Sequence, residues 1–250
     1  MRKASICTLV FTFVILSFSC RYFWTRPSDG TLAYKIIHSE STYGDSVYYK
    51  IDLKKPIFVH NDSLDASLKE LNHAMESFLD TATFYFWGTD TTGAIEIVKE
   101  TGTSGFYLLI NNYRILDSTN KIISVVFETY SYALGAHGFT AITTFNFDIR
   151  SKKMLEVSDI IDFSKPENQE ILNKLLAKFL VDGQDCFDVE PFADKNFSRF
   201  ALDPEHVVFF YEAYELGAYA CGSAEVKIPK AELTLAGIYK GEPDNAESKK

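Results

Sequence analysis

The sequence lacks the short motifs that mark most catalytic and nucleotide-binding sites. It contains no H-E-x-x-H, no G-x-S-x-G, no G-x-x-x-x-G-K-[ST] and no G-x-G-x-x-G. Its four cysteines include no C-x-x-C pair, which removes support for a zinc or thioredoxin-type site. We therefore expect a protein without enzymatic activity, cofactor or metal.

Basic residues are also scarce in this chain of 250 residues. It has 25 Lys and Arg against 34 Asp and Glu, which gives a formal net charge of −9. Nucleic-acid binding needs a basic surface, so we expect no nucleic-acid partner. The chain is instead rich in apolar and aromatic residues, with 46% hydrophobic residues, 21 Phe and 14 Tyr. This composition supports a buried core and favours β-sheet.

The N-terminal apolar run is too short to be an ordinary membrane-spanning helix. Arg2 and Lys3 precede the uncharged stretch Ile6 to Phe18, and Arg21 follows closely. A spanning helix needs about 20 apolar residues. A basic start before a short apolar stretch indicates an export signal over residues 1–20, and an uncleaved N-terminal anchor is the alternative.

Cys20 suggests a cleavage site for this signal. The segment Leu16-Ser17-Phe18-Ser19-Cys20 resembles a bacterial lipobox, although its large aliphatic residue lies one position early. We predict lipidation of Cys20, which would anchor the protein to a membrane of the cell envelope. The alternative is a periplasmic or secreted protein that is cut near the same place.

Two cysteines, Cys186 and Cys221, remain for the folded part of the chain. Export would permit a disulfide between them. Two buried free thiols are the competing interpretation, because the sequence does not give the distance between their Cα atoms.

Hydrophobic periodicity predicts both strands and helices. Residues 121–132 and 139–149 alternate between apolar and polar side chains, which indicates a hairpin, and its two loop glycines are expected at positive φ. Leu64 to Ala82 carries apolar residues at helical spacing, as does a second segment that begins at Ser164 with a capping box to Glu167. Ala94 to Val98 is predicted to be a short strand.

The fold class that follows is α+β, with antiparallel sheets covered by two amphipathic helices in two small subdomains. The predicted units are a signal at 1–20, a tether at 21–31, an N-terminal domain at 32–148, a C-terminal domain at 149–240 and a polar tail at 241–250.

Among the histidines, His137 is the strongest candidate for a functional role because of its position. It lies at the glycine-flanked tip of the predicted hairpin, where a rigid scaffold would display it. It could order its own loop through backbone hydrogen bonds, contact a ligand, or act with a nearby acid. The last role would make the protein a cell-wall hydrolase or esterase.

Acidic residues are concentrated between Asp182 and Glu215. Nine acids in this segment face only Lys195 and Arg199, and aromatic residues lie between them. One interpretation is a solvated loop whose aromatic side chains fill the core. The other is an acidic, aromatic surface that attracts a cationic protein.

Two motifs resemble a bacterial envelope family. The first is Ile123-Ser124-Val125-Val126-Phe127-Glu128-Thr129-Tyr130-Ser131-Tyr132 with Gly135-Ala136-His137-Gly138, and the second is Val208-Phe209-Phe210-Tyr211-Glu212-Ala213-Tyr214-Glu215-Leu216-Gly217-Ala218-Tyr219-Ala220. Together they resemble the RsiV-like extracellular domain, a domain of unknown function, preceded by a PdaC-type N-terminal accessory domain. The chain departs from the pattern at Leu134, where the family often has another glycine, and at Cys221.

The resemblance implies a non-catalytic binding or sensing module of the cell envelope. It implies as partner a cationic protein such as lysozyme, or the peptidoglycan itself, with the membrane reached through the N-terminal lipid. The candidate ligand-binding residues are the aromatic and acidic side chains of the two motifs: His137, Tyr130, Tyr132, Tyr211, Tyr214, Tyr219, Glu212 and Glu215.

Overall fold

The computed structural model describes residues 21–24, 34–45, 48–60, 68–88, 91–102, 106–119, 121–180, 186–187 and 197–242. The predicted signal with Cys20, most of the predicted tether and nearly all of the polar tail lie outside these residues. The α+β fold class is confirmed, since two sheets and five α-helices make up the described chain.

A seven-stranded sheet forms the N-terminal part. Its strands follow one another in space in chain order: β1 Arg21–Trp24, β2 Tyr34–Asp45, β3 Tyr49–His60, β4 Tyr107–Ser118, β5 Ile122–Tyr132, β6 Phe139–Asp148 and β7 Lys153–Met154. All neighbours are antiparallel except β3 and β4, which pair in parallel. The hairpin predicted from alternation is confirmed as β5 and β6.

Strand β1 corrects part of the predicted tether. Residues 21–24 pair with Lys35 to His38 of β2. The aromatic run Tyr22-Phe23-Trp24 has high β-propensity, but four residues are too few to show a period in the sequence.

Two helices connect β3 to β4, as a parallel pair requires. They are α1 Lys69–Gly88 and α2 Thr91–Thr101. The predicted apolar stripe of α1 is confirmed, because Leu71, Met75 and Leu79 are buried against the sheet. The short strand predicted at Ala94 to Val98 is wrong. This segment is helical, and its buried residues Ile95 and Val98 lie one helical turn apart.

The C-terminal part contains a second, smaller sheet. Its elements are α3 Val157–Ile160, α4 Pro166–Phe179, β8 Phe200–Leu202, β9 His206–Tyr211, β10 Ala224–Pro229 and α5 Lys230–Leu235. The strands lie in the order β10-β9-β8 and are antiparallel. Leu172 and Leu176 of α4 pack in the core of this part.

The start of α4 differs from the prediction. Its N-cap is Lys165, which makes no side-chain cap, so the capping box of Ser164 and Glu167 is wrong. Asp162 orders the turn instead. Its carboxylate accepts the Ser164 N–H at 2.9 Å, and its carbonyl accepts the Asn168 side-chain amide at 2.9 Å.

A buried polar network joins the two sheets. Ser124 of β5 donates its hydroxyl to Asn146 Oδ1 of β6 at 2.6 Å, and Asn146 Nδ2 donates to the Phe200 carbonyl of β8 at 2.7 Å. The Leu202 N–H donates back to Ser124 Oγ at 2.9 Å. Ser124 and Asn146 are 0% and 2% exposed, so water does not compete for these bonds. Beside the network, Val126 and Ile142 pack against Ala201, Val208 and Phe210.

Candidate functional site

Strand periodicity divides the β5–β6 hairpin into two faces. Odd-numbered residues such as Val125 and Phe127 pack beneath α1, whereas Val126 packs against the second sheet. Because successive side chains alternate, Glu128, Tyr130 and Tyr132 share the face of Val126. The candidate residues Tyr130 and Tyr132 therefore belong to the side of the hairpin that faces the C-terminal part.

The hairpin loop is shaped by Leu134 and Gly138. Leu134 adopts a φ of 59°, in the left-handed region that favours glycine. Neither Gly135 nor Gly138 has a positive φ, so that prediction is wrong. Gly138 is needed for a close approach, because a Cβ there would overlap the ring of Tyr130.

His137 lies in an aromatic cluster with Tyr214 and Tyr219. Its ring stacks on Tyr219 with centroids 3.6 Å apart, and its Nε2 is 3.1 Å from the Tyr214 hydroxyl. The rings of Tyr214 and Tyr219 are 5.4 Å apart. Gly138 supports the cluster from below, because its carbonyl accepts the Tyr219 hydroxyl at 2.7 Å and lies 3.0 Å from His137 Nδ1.

These contacts fix the tautomer of a neutral His137. A carbonyl can only accept, so Nδ1 carries the proton and donates to Gly138, and Nε2 accepts from the Tyr214 hydroxyl. The described partners of His137 are thus a carbonyl and two tyrosines. Tyr214 is 59% exposed, and the cluster presents aromatic surface to solvent.

Glu212 and Glu215 hold the structure around this cluster together. Both pair with Arg199, which lies 3.4 Å from Glu212 Oε2 and contacts Glu215 more closely. Glu215 also accepts the Glu212 N–H at 2.6 Å, and Glu212 Oε1 accepts the Ile142 N–H of β6 at 2.7 Å. The structure therefore gives these two candidate residues internal partners and places them beside the aromatic surface.

Tyr211 is not part of the exposed cluster. It is 1% exposed and packs in the core of the C-terminal part. Burial raises the pKa of its phenol well above the usual value. The sequence placed it with its neighbours because strand β9 ends at this residue, after which the chain turns to the surface.

A disulfide joins Cys186 to Cys221, with their Cα atoms 5.7 Å apart. Next to it Phe187 forms an isolated β-bridge with Gly217. Cys221 ends a short 3-10 turn, Tyr219–Cys221, whose first residue belongs to the aromatic cluster. The disulfide thus fastens the turn that carries Tyr219 to the segment around Phe187.

An open cleft of about 510 Å³ lies between the hairpin and the second sheet. This volume is within the range of small-ligand sites. Its lining combines ionic, hydroxyl and apolar side chains from both parts of the chain: Arg114, Glu128, Thr140, Ile142, Phe187, Phe210, Cys221, Ser223, Ala224 and Glu225. Thr140 pairs with Tyr130 across the hairpin, so the cleft and the aromatic cluster are neighbours on one face.

Arg114 organises the polar wall of the cleft. Its Nε lies 3.0 Å from Glu128 and its Nη2 lies 2.8 Å from Glu225. Burial lowers the pKa of Arg114, but Glu225 and Glu128 together raise it above its usual value. For Glu225, burial raises the pKa of the carboxyl. Arg114 and Lys227 outweigh burial, so the pKa of Glu225 lies below its usual value. Arg114 and Glu225 are therefore both charged at neutral pH.

Sequence reasoning missed this cleft. Arg114 comes from β4, and it meets Glu128 and Glu225 only because β4 pairs with β5 and the second sheet packs across them. The alternation that placed Tyr130 on one face also places Glu128 there, which was the available signal. Among the described residues, no group of three or more His, Cys, Asp and Glu could hold a metal ion.

A protein-family model matches the segment that contains the C-terminal part of the site. Residues 159–231 match the DUF3298 family, described as a protein of unknown function. The matched segment lies within the C-terminal domain predicted from the sequence. It contains Tyr214, Tyr219, the disulfide and Glu225, whereas His137 and Arg114 precede it. The site therefore combines residues of the matched segment with residues of the sheet before it.

One curated relative and two solved structures extend the comparison. The chain is 30% identical over 132 residues, 49% of its length, to the peptidoglycan-N-acetylmuramic acid deacetylase PdaC of Bacillus subtilis, of which it spans 27%. A DUF3298-family structure from Bacteroides fragilis has a TM-score of 0.57 at 16% identity, covering 92% of this chain and 96% of its own. A DUF3298-family structure from Pseudomonas aeruginosa has a TM-score of 0.58 at 19% identity, and the match covers 86% of this chain and 97% of its own. These two structures show a shared fold.

The described helices do not include a membrane span. None of them is both long enough and apolar enough to cross a bilayer.

Proposed function

We propose that this protein is a non-catalytic, lipid-anchored module of the cell envelope that binds cell-wall glycan. The observation that carries the proposal is the exposed aromatic cluster of His137, Tyr214 and Tyr219 beside an open polar cleft. Aromatic faces pack on the apolar faces of sugar rings, while charged and hydroxyl groups bond to sugar hydroxyls. Similarity to part of a peptidoglycan deacetylase supports the same ligand class.

The cluster is built as a rigid binding surface. Gly138 and the Cys186–Cys221 disulfide fix the two backbone segments that carry it, and the tyrosine hydroxyls are held by His137 and Gly138. Aromatic rings that are ordered before binding lose little conformational entropy when a ligand arrives. This arrangement favours recognition over turnover, because His137 is held by tyrosines and a carbonyl.

Replacing Tyr214 with alanine should weaken binding to purified peptidoglycan about tenfold. An exposed tyrosine that anchors a ligand contributes roughly 1–2 kcal/mol, and 1.4 kcal/mol corresponds to a factor of ten. The measurement is a sedimentation assay of the protein with insoluble peptidoglycan. Tyr85→Ala on α1 is the matched control, because Tyr85 is 62% exposed and belongs to another surface.

Three results would contradict the glycan proposal. Equal binding by the Tyr214 and Tyr85 variants would remove the cluster from the interface. Tight binding to lysozyme that is lost at high salt, without affinity for peptidoglycan, would identify a cationic protein as the ligand. Turnover of wall fragments that disappears in a folded His137→Ala variant would show a hydrolase or esterase.

Lipid anchoring at Cys20 is tested separately. Cells that express the full chain and grow with a fatty-acid analogue should label the wild-type protein, because an acylated cysteine carries the anchor. Cys20→Ser should abolish the label, and Cys7→Ser is the control for a cysteine within the signal. Persistent labelling of the Cys20 variant would refute the lipobox assignment.

A further inference from the structure

We propose that the cleft at Arg114 is an acetamido-binding subsite, which selects N-acetylated amino sugars over sugars that carry a free amine. The proposal rests on the proposed glycan binding and adds its chemical preference. It follows from three features of the cleft: an apolar floor, a wall of hydrogen-bonding groups and a balance of charge.

The floor of the cleft suits a methyl group. Ile142, Phe187, Phe210 and Ala224 line it with apolar atoms, and Phe210 also lies under the Arg114 guanidinium at 5.7 Å. The acetyl methyl of an acetamido group would gain from leaving water at such a surface. An ammonium group would instead lose hydration there.

The wall of the cleft offers partners for both ends of an amide. Arg114 has five N–H donors, and its bonds to Glu128 and Glu225 engage only part of this fork. The remaining donors suit the acetamido carbonyl. The Glu128 carboxylate, whose side chain is 40% exposed, can accept the acetamido N–H.

The charges at the cleft cancel when Lys227, which lies beside the lining, is counted with the lining residues. The two carboxylates of Glu128 and Glu225 face the Arg114 guanidinium, and the Lys227 ammonium lies 3.2 Å from Glu225 Oε1. Two positive and two negative groups give an ammonium ligand no net attraction. A neutral amide can bond to both kinds of group without disturbing the ion pairs.

The cleft lies next to the aromatic cluster that is proposed to bind sugar rings. The 3-10 turn contributes Tyr219 to the aromatic cluster and Cys221 to the cleft. The cross-strand pair Tyr130 and Thr140 leads from the cleft to Gly138, which supports Tyr219. An oligosaccharide that lies on the cluster would therefore pass beside the cleft, where a 2-acetamido substituent of the same chain can enter.

The test compares two oligosaccharides of equal length by titration calorimetry with the wild-type protein. These are the tetramers of N-acetylglucosamine and of glucosamine, at one pH at which the amines are protonated and at fixed ionic strength. We expect the acetylated tetramer to bind at least tenfold more tightly. Glu128→Gln should weaken its binding about fivefold, whereas Glu170→Gln, which removes the same charge from α4, should leave it unchanged.

The outcomes separate this subsite from the wider proposal. Equal affinity for the two tetramers, or tighter binding of the glucosamine tetramer, overturns the acetamido preference and leaves glycan binding intact. Binding of neither tetramer, together with no affinity for peptidoglycan, overturns both. If Glu128→Gln does not fold, the wild-type comparison of the two tetramers still decides.

Discussion

Replacing Asn146 with alanine should lower the free energy of unfolding by about 3 kcal/mol. The change leaves the buried Ser124 hydroxyl and the Phe200 carbonyl without the partners that Asn146 supplies. Each buried polar group that loses its hydrogen bond costs roughly 1–3 kcal/mol. Urea unfolding followed by circular dichroism gives the value.

Asn112→Ala provides the matched control for the Asn146 variant. Asn112 is exposed on β4, where its side chain accepts a 3.3 Å bond from Lys54. A surface change of this kind alters stability by less than about 0.5 kcal/mol. Equal losses in the two variants would show that the network between the sheets contributes no more than a surface contact.

Opening the Cys186–Cys221 disulfide should lower the free energy of unfolding by about 3–4 kcal/mol. The two cysteines are 35 residues apart in sequence, and closing a loop of this length restricts the unfolded chain by that amount. The measurement compares urea midpoints of the wild-type protein with and without reductant. The same loss is expected in the Cys186→Ser, Cys221→Ser double variant.

The double variant also controls for side effects of the reductant. Its midpoint should not move when reductant is added, since the bond is already absent. A wild-type midpoint that is insensitive to reductant, with a full complement of free thiols by mass measurement, would mean that the bridge does not form in the protein.

Local patterns predicted the hairpin and α1 well, because each is long and its period is supported by tertiary burial. Ile95 and Val98 of α2 show where such reasoning fails. A window of five residues with β-branched side chains fits a strand, and only packing against α1 and the sheet decides for a helix. The positive φ of Leu134 likewise has no signal in its side chain.

The candidate site was predicted in part for a related reason. His137, Tyr214 and Tyr219 belong to conspicuous loop motifs, so sequence alone brought them forward. His137 and Tyr214 are 77 residues apart in the sequence, and their contact depends on how the two sheets pack. The role of Arg114 depends on the same packing. Glu212 and Glu215 were candidate ligand-binding residues because of their charge, and in the structure both form ion pairs with Arg199.

The bond from the Ile142 N–H to Glu212 also occupies part of an open strand edge. Within the part of the chain that the structure describes, strand β6 pairs on its outer side with the short strand β7, at Phe147 and Asp148. An unpaired strand edge is a template on which another chain can add a strand. Glu212 occupies a donor on this edge and places a carboxylate there, and the Leu155 N–H occupies the Asn146 carbonyl at 2.8 Å. The edge is thereby closed to strand addition at two points.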